Sequence, residues 1–197
     1  MILLVAIVVS VLVALVCGGR LSGLAGLRVR YAWLVLVAVA GQALVVFNVV
    51  GQAPVLGLPL GRVLDAATTL VVLAVLWTNR RLPGLWLVGL GLVANLAAIV
   101  ANGGLMPVAP EAIRAAGWRS PAPGTKPYGS ENIILPRAAT RLWWLTDIIA
   151  ARFPVPSVFS PGDVLVALGL FWLIFDAMMR GRGAPAGQRA EETSSGG

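Results

Sequence analysis

The stretch that decides the fold runs from 145 to 169 and reads LTDIIAARFPVPSVFSPGDVLVALG. It places two carboxylates, Asp147 and Asp163, on either side of a segment that contains prolines, and a long apolar run follows. An apolar run of about 20 residues predicts a helix that crosses a membrane. The stretch therefore predicts a membrane-embedded helix with two acids close to its start.

The composition of the whole chain agrees with this prediction. Hydrophobic residues make up 58% of the 197 residues and charged residues only 12%, which leaves too little polar surface for a soluble domain. The apolar residues lie in runs long enough to cross the roughly 30 Å hydrocarbon layer of a bilayer. We therefore expect the lipid bilayer to be the principal partner of the chain.

Charge and residue usage exclude several kinds of function. The net charge is +7, but the arginines stand at the ends of apolar runs, which is typical of topology-setting residues beside anionic headgroups and not of nucleic-acid binding. The chain has no histidine and a single cysteine, Cys17, so neither a zinc site nor a disulfide framework can be assembled. We predict no metal, no cofactor and no nucleic-acid partner.

We predict an all-α integral membrane protein in which residues 1–180 form one transmembrane domain. Five spans are expected, at about 1–17, 32–50, 63–77, 85–101 and 161–179. The first run lacks a charged leader and fits a transmembrane helix better than a cleaved signal. The proline-rich residues 102–160 form a long outward connection, in which 138–151 is a short interfacial amphipathic helix. The Gly/Ser/Ala-rich residues 181–197 are expected to be a disordered cytoplasmic tail.

The arginines also predict an orientation. The connections at 18–30 and 79–83, together with the C-terminal segment from Arg180, carry eight basic residues and alternate to the same side of the membrane. The connection at 51–62 on the other side carries only Arg62. Because basic residues favour the cytoplasmic side, the N-terminus is predicted outside and the C-terminus in the cytoplasm.

Asp147 and Asp163 are the strongest candidates for chemistry. Two carboxylates in a water-poor pocket cannot both ionise, so one holds a proton while the other can activate a water molecule. Each acid also has a purely structural interpretation. Asp163 closes a capping box that begins at Ser160, with proline at the first helical position, and Asp147 would be a solvated residue on the polar face of the interfacial helix.

Three asparagines are the next candidates. Asn95 lies deep in the fourth span, where an unpaired amide is costly, so it is expected to bond to a neighbouring helix. Asn102 begins the turn Asn102-Gly103-Gly104 at the end of that span; it either orients a bound peptide or simply stops the helix. Asn132 is the other candidate for orienting a peptide.

Several motifs resemble an uncharacterised bacterial domain-of-unknown-function family of small polytopic membrane proteins. They are GGRL (18–21), ANGGLMPV (101–108), LTDI (145–148) and FSPGDVLVALG (159–169), and the resemblance covers almost all of 1–180. It implies a bacterial plasma-membrane protein of Gram-positive or actinobacterial type. It implies no activity.

A shorter segment resembles lipoprotein signal peptidase. VFSPGD (158–163) followed by Gly169 is similar to that family's last motif, phenylalanine-asparagine-x-alanine-aspartate, which carries one catalytic acid. LTDII (145–149) stands where the family has its other catalytic aspartate, and Asn102-Gly103-Gly104 is similar to its asparagine-x-glycine motif. This chain differs at Ser160 and Gly162, has five predicted spans instead of four, and lacks the family's asparagine-x-x-aspartate-arginine box.

Two hypotheses therefore stand. In the first, the chain is a non-catalytic membrane component that acts by helix packing, or by binding a lipid or a membrane peptide or protein through its outward connection. In the second, it is an intramembrane aspartyl peptidase-like hydrolase in which Asp147 and Asp163 are catalytic and Asn102 or Asn132 orients the peptide. A transporter is disfavoured because no internal repeat is visible. Convergence of the two carboxylates is the observation that would separate the two hypotheses.

Overall fold

The computed structural model describes residues 2–46, 54–55, 58–118, 122–125 and 132–183. It is mostly helical, as the sequence predicts. The helices are α1 (Ile2–Val16), α2 (Ser22–Ala25), α3 (Ala32–Val46), α4 (Leu60–Thr78), α5 (Leu85–Ala101), α6 (Pro110–Ala115) and α7 (Pro161–Arg180). The predicted fourth span coincides with α5, whereas α4 begins three residues before the predicted third span and α7 ends one residue beyond the predicted fifth.

Two helices, α4 and α7, are long and apolar enough to cross a membrane. The helix α1, the helix α5 and the Ala32–Gly41 part of α3 are apolar but shorter. Within the described residues the structure thus contains two candidate spans, and the five-span arrangement stays a prediction. Residues 47–50 of the predicted second span lie outside the described residues.

The helix α7 is the centre of the bundle. It packs against α5 on one side and α1 on the other, α3 packs against α4, and α4 contacts α5. The amide of Arg20 donates to the carbonyl of Met178 at 3.0 Å, so the ends of α1 and α7 lie together and the two helices run parallel. Gly84 lies beside Gly169 and Gly91 beside Gly162, so α5 runs antiparallel to α7.

Glycines set the close approach of α5 and α7. A Cβ atom added at Gly91 would lie 2.8 Å from Val166 Cγ2, and one added at Gly169 would lie 2.7 Å from Val88 Cγ2. Small residues permit such contact because no side chain separates the two backbones. Gly89 lies on a different face of α5, towards α4, where Leu76 Cδ1 is 3.9 Å from the Cβ position.

The connections between helices group at two ends of the bundle. The side chain of Asn79 accepts from the amide of Arg30 at 2.8 Å and donates to its carbonyl at 2.9 Å, while Arg182 Nη1 donates to the carbonyl of Cys17 at 3.2 Å. We call this the arginine end. At the opposite end Arg62 Nη1 donates to the carbonyl of Gly103 at 2.8 Å, beside the 102–160 connection; we call this the acid end.

The acid end carries three small two-stranded sheets. They are the antiparallel pair β1 (Pro54–Val55) and β2 (Leu58–Pro59), the parallel pair β3 (Pro107–Val108) and β4 (Ile133–Ile134), and the antiparallel pair β5 (Ile149–Ala151) and β6 (Ser157–Phe159). Val108 of β3 also pairs with Asp147 in a parallel bridge. Val108, Ile113 and Ile134 form a small apolar core, against which Val158 packs. The 102–160 connection is therefore a folded layer.

The predicted interfacial helix at 138–151 is wrong. The chain instead forms 3-10 turns at Arg137–Ala139 and Trp143–Leu145 and then the strand β5. Leu142 takes a left-handed conformation with φ 48°, which ends any helix, and the amide of Asp147 donates to the carbonyl of Pro107 at 3.0 Å. Pairing with β3 has overridden the helical spacing of the apolar residues, as happens where tertiary contacts outweigh local propensity.

The predicted tail is tested only at its start. Gly181–Gly183 form a 3-10 turn that continues from α7. Residues 184–197 lie outside the described residues, so the prediction of disorder there stays a prediction. The predicted ion pair at the end of α7 is confirmed, because Arg180 Nη2 lies 2.7 Å from Asp176 Oδ2.

Candidate functional site

Asp163 is held in the first turn of α7. Ser160 Oγ accepts from the amide of Asp163 at 3.0 Å, and the amide of Ser160 donates to Asp163 Oδ2 at 3.0 Å. Pro161 occupies the first helical position, where its missing N–H costs nothing. The predicted capping box is confirmed, and its consequence is a carboxylate with a fixed position at the start of the helix.

Asn95 of α5 ties this cap to the neighbouring helix. Its Nδ2 donates to Asp163 Oδ1 at 2.8 Å, and its Oδ1 accepts from Ser160 Oγ at 2.7 Å. A side chain at Gly162 would collide with the Asn95 amide, so the glycine is what lets the asparagine reach the cap. The prediction that Asn95 bonds to another helix is confirmed. We call Asn95, Ser160 and Asp163 the cap cluster.

Asp147 is positioned by the small sheets. Its amide donates to the carbonyl of Pro107 and its carbonyl accepts from the amide of Ala109, both at 3.0 Å. The residue is only 6% exposed, and Asn132 Nδ2 donates to Asp147 Oδ2 at 3.1 Å. The interpretation of Asp147 as a solvated residue on a helix face is therefore wrong, because the residue forms a bridge with Val108 and is buried.

The two acids share one electrostatic environment. Burial raises the pKa of Asp147 from 3.8 to about 8, and the negative charge of Asp163 acts in the same direction. A carboxyl group with a pKa of about 8 is mostly protonated at neutral pH, so Asp147 is a hydrogen-bond donor there. Both oxygens of Asp163 accept hydrogen bonds, from the Asn95 side chain and from the backbone amide of Ser160. The two carboxyl groups therefore lie in different immediate surroundings, one buried beside Asn132 and one held at the start of α7.

The other two predicted site residues lie in different surroundings. Asn132 contacts Asp147 directly and so belongs to the site. Asn102 Nδ2 donates to the carbonyls of Ala98 and Arg141, both at 2.8 Å, and its Oδ1 accepts from the amide of Arg141 at 2.9 Å. Asn102 thus ends α5 and fastens the following connection to it. Its role in orienting a substrate stays a prediction.

A groove of about 170 Å³ lies next to the site, between α6 and the two 3-10 turns. Thr146 and Ile148, the neighbours of Asp147, both line it. Because side chains alternate along an extended segment, the groove lies on the face away from the carboxyl group of Asp147. On its rim the Arg137 guanidinium stacks 3.6 Å from the centre of the Trp143 ring. This groove therefore gives no direct access to the acid pair.

Metal chemistry finds no support in the part of the chain that the structure describes. No group of three or more Cys, Asp or Glu residues there is arranged to hold an ion. The carboxyl oxygens instead accept hydrogen bonds from the Asn95 and Asn132 side chains and from the backbone amide of Ser160.

The sequence indicated most members of this site but not how they connect. Asn95 is the single polar side chain in α5, which indicated an interhelical bond without naming Ser160 and Asp163 as its partners. The sequence places Asn79 only in the turn after α4, whereas its side chain bonds to the backbone of Arg30, just before α3. Its signal was an asparagine directly after an apolar run, a position that often ends helices.

Comparison with known proteins gives one match. The model of a family described as "Family of unknown function (DUF5317)" matches residues 26–175, which include all of the cap cluster together with Asn132 and Asp147. No curated protein and no solved structure matches the chain.

Proposed function

The chain belongs to DUF5317, a family of unknown function, and from that premise we propose that it is a five-span protein of the bacterial plasma membrane. The proposed N-terminus is outside and the C-terminus cytoplasmic. The helix α4 supports this proposal because it leaves large apolar side chains uncovered, with Leu70 57% and Trp77 70% exposed. Lipid is the solvent in which such a surface is stable.

The direction of the helices supports the same proposal. The helices α1 and α7 run parallel, and α5 runs antiparallel to α7. In a chain that crosses a membrane five times in succession, the first and fifth helices run parallel and the fourth runs antiparallel to the fifth, as α1, α5 and α7 do here. These directions place the arginine-bearing connections together at one end, as the positive-inside rule requires of the cytoplasmic side. The 102–160 connection and both acids then lie at the outer surface.

A labelling experiment tests this topology. Cys17 is first replaced by serine, and single cysteines are introduced by Ala122→Cys in the 102–160 connection or Ser194→Cys in the tail. We expect a membrane-impermeant maleimide to label the first variant in intact cells and the second only after the cells are opened. Labelling of the tail in intact cells would contradict the proposed orientation, and release of the protein by alkaline carbonate would contradict membrane insertion.

The function that the geometry supports best is acid–base hydrolysis by Asp147 and Asp163 at the outer surface. One observation carries this proposal: the carboxyl group of Asp147 is buried and accepts a hydrogen bond from the Asn132 amide, and burial together with the nearby charge of Asp163 raises its pKa. Pairs of carboxyl groups driven to different protonation states are the arrangement that aspartyl hydrolases use. Such a pair needs neither a metal nor a histidine, and this chain has no histidine.

Each residue then has a definite role. Asp163, held by Ser160 and Asn95, is the carboxylate that accepts a proton from the attacking water. Asp147 donates its proton to the carbonyl oxygen of the substrate, and the Asn132 amide orients the Asp147 carboxyl group. The water oxygen bonds to the carbonyl carbon, and the two proton transfers leave a neutral tetrahedral intermediate. In its breakdown Asp163 returns its proton to the leaving nitrogen, the C–N bond breaks, and Asp147 regains a proton from a hydroxyl group of the intermediate. The substrate class is a peptide bond presented at the membrane surface.

A non-catalytic function is the second candidate, and one observation favours it. No buried side-chain nitrogen or oxygen among the described residues lacks a hydrogen-bond partner, so the acid pair is internally satisfied and can act as a structural fastening between α7 and the outer layer. The chain would then serve as a packing or binding component of the membrane.

Substitution of the acids separates these two functions. The full-length protein and its Asp147→Asn and Asp163→Asn variants are produced in a host that lacks the natural protein, and new protein N-termini in the membrane fraction are identified by mass spectrometry. Asp176→Asn is the matched control, since Asp176 lies at the other end of α7 and pairs with Arg180. Hydrolysis predicts new termini with the natural chain and the control but none with either acid variant.

The same experiment has an outcome that contradicts hydrolysis. If the natural chain and both acid variants yield identical termini while all three proteins accumulate to equal levels, the acid pair is structural. Thermal unfolding of each purified variant in detergent shows whether a lost activity reflects loss of the fold. An acid variant that melts within a few degrees of the natural chain and yet produces no termini supports the catalytic role.

A further inference from the structure

A groove of about 810 Å³ lies at the arginine end, between the last turns of α4 and the first turns of α5. Its lining includes Leu76 and Gly89 together with Trp77 and Trp86. Both tryptophans are more than half exposed. The groove is thus an apolar channel that opens on the surface of the bundle.

Two arginines stand at the mouth of this groove. Arg80 and Arg81 belong to the turn between α4 and α5 and both contribute to the lining. Arg80 Nη1 donates to the carbonyl of Trp77 at 3.2 Å, and its guanidinium stacks 4.8 Å from the centre of the Trp77 ring. These contacts hold one positive charge at the mouth. No carboxylate among the described residues forms an ion pair with either arginine.

We propose that the α4–α5 groove binds one anionic glycerophospholipid, with an acyl chain along the apolar floor and the phosphate between Arg80 and Arg81. This inference rests on the membrane insertion proposed above. Apolar surface continuous with two guanidinium groups is complementary to a molecule that joins a hydrocarbon chain to a phosphate. Arginine is the side chain best suited to a phosphate because its planar donors bind two oxygens at once.

The position of the tryptophans agrees with this occupant. Tryptophan is enriched at the level where hydrocarbon meets headgroups, and Trp77 and Trp86 line the groove together with Arg80 and Arg81. The headgroup of a lipid in the groove would therefore lie at the depth of the surrounding headgroups.

Native mass spectrometry of the full-length protein in detergent tests the proposal. The probes are palmitoyl-oleoyl phosphatidylglycerol and palmitoyl-oleoyl phosphatidylcholine, each titrated separately. We expect the anionic lipid to bind at least tenfold more tightly than the zwitterionic lipid. Arg80→Gln combined with Arg81→Gln should reduce that preference to less than threefold. Glycerol 3-phosphate, which has the phosphate without the chains, should not displace the bound lipid.

Two further variants make the experiment specific. Arg20→Gln combined with Arg28→Gln removes the same charge from the same end of the bundle outside the groove, and we expect it to keep the tenfold preference. Gly89→Phe fills the groove with both arginines intact. A Cβ there meets only Leu76 Cδ1, at 3.9 Å, so the side chain can leave the helix without displacing backbone. We expect binding of the anionic lipid to fall about tenfold while thermal unfolding in detergent stays within a few degrees of the natural chain.

Several outcomes would overturn the proposal. Equal binding of the two lipids, or equal effects of the two double substitutions, would show that the arginines do not form a headgroup site. A detergent-solubilised dimer that Gly89→Phe dissociates would show that a second copy fills the groove. These results leave the acid pair unaffected, whereas release of the chain from membranes by alkaline carbonate would overturn the membrane proposal and this one together. Asp147→Asn should bind the anionic lipid as the natural chain does, whichever way the hydrolysis test ends.

Discussion

The two ends of α5 contact their neighbours in different ways. At the acid end, Asn95 bridges to α7 and every polar atom of the cap cluster has a partner within the chain. At the arginine end, the last turns of α4 and the first turns of α5 line an apolar groove together with two arginines that form no ion pair with a described carboxylate. A closed polar cluster and an open apolar groove thus lie on one helix.

This contrast also predicts how each end tolerates change. A closely packed contact with all hydrogen bonds made has no room for an added atom. A groove that solvent or lipid fills accepts one without displacing any neighbour. Matched substitutions at the two ends therefore test whether the difference between them is real.

The largest effect is expected from the same substitution made at two glycines. At Gly162 an added methyl group would collide with the Asn95 side chain, and at Gly89 it would meet only Leu76. We expect Gly162→Ala to destabilise the protein by about 3 kcal/mol, because the cap cluster must move apart. Gly89→Ala should be neutral or stabilise by up to about 1 kcal/mol, because alanine favours the helix.

Unfolding of the purified proteins in detergent, followed by tryptophan fluorescence, measures both changes. Loss of stability of equal size at the two glycines would show that α5 packs equally tightly at both ends, which contradicts the contrast described above.

Removal of the bridging amide should have the next largest effect. Asn95→Leu keeps the size of the side chain but leaves Ser160 Oγ and Asp163 Oδ1 without their interhelical partner. Because an unsatisfied buried polar group costs about 1–3 kcal/mol, we expect a loss of about 2 kcal/mol by the same unfolding measurement. Arg80→Gln at the open end is the control, and a change below about 0.5 kcal/mol is expected for it. If Asn95→Leu leaves the free energy of unfolding unchanged, water or another group replaces the amide as the hydrogen-bond partner.

The buried acid predicts a pH dependence. The pKa of Asp147 is raised from 3.8 to about 8, so between these values the folded state binds more protons than the unfolded state, and stability falls as pH rises from 4 to 8. The slope contributed by this group approaches about 1.4 kcal/mol per pH unit in the middle of that range. Asp147→Asn should remove this slope and be the more stable protein at pH 8.

Unfolding curves collected at intervals between pH 4 and pH 9 give this slope directly. Asp176→Asn is the control, since that residue lies far from the pair at the other end of α7. Parallel pH profiles for the natural chain and Asp147→Asn would show that Asp147 is not protonated in the folded state at neutral pH.

The smallest effect is expected at the helix cap. Ser160→Ala removes the oxygen that accepts from the amide of Asp163 and donates to Asn95. Loss of an N-cap costs about 1 kcal/mol, and we expect a loss of this size. Ser160→Thr keeps the hydroxyl group and should recover most of it. If the alanine and threonine variants have the same free energy of unfolding, the hydroxyl group contributes little to the stability of the cap cluster.

The fold was predictable where local physics decides it. The span 85–101 follows from apolar length and from the Gly84 turn before it, and the structure places α5 at the same residues. The cap at Ser160 and the pair of Asp176 with Arg180 depend on residues three or four positions apart, which a helix brings together whatever surrounds it. Such features can be identified from the sequence because all their partners lie within one turn.

The error at 138–151 has the opposite cause. The apolar spacing there favours a helix, but the partners that decide the conformation are β3, some forty residues earlier, and Asn102, which holds the backbone of Arg141. The burial of Asp147 depends on the same pairings. No local pattern reports them, because each contact joins segments that are distant along the chain.

The sequence by itself determined that the chain is apolar, helical, without histidine, and carries two acids beside its last long helix. Those properties follow from composition and from spacing within single helices. Only the tertiary structure decided that Asp147 is buried, that its carboxyl group lies within the electrostatic influence of Asp163, and that α4 and α5 line a groove together with Arg80 and Arg81. These outcomes depend on how closely glycine-lined helices approach and on which strands pair, and both are properties of the packed chain.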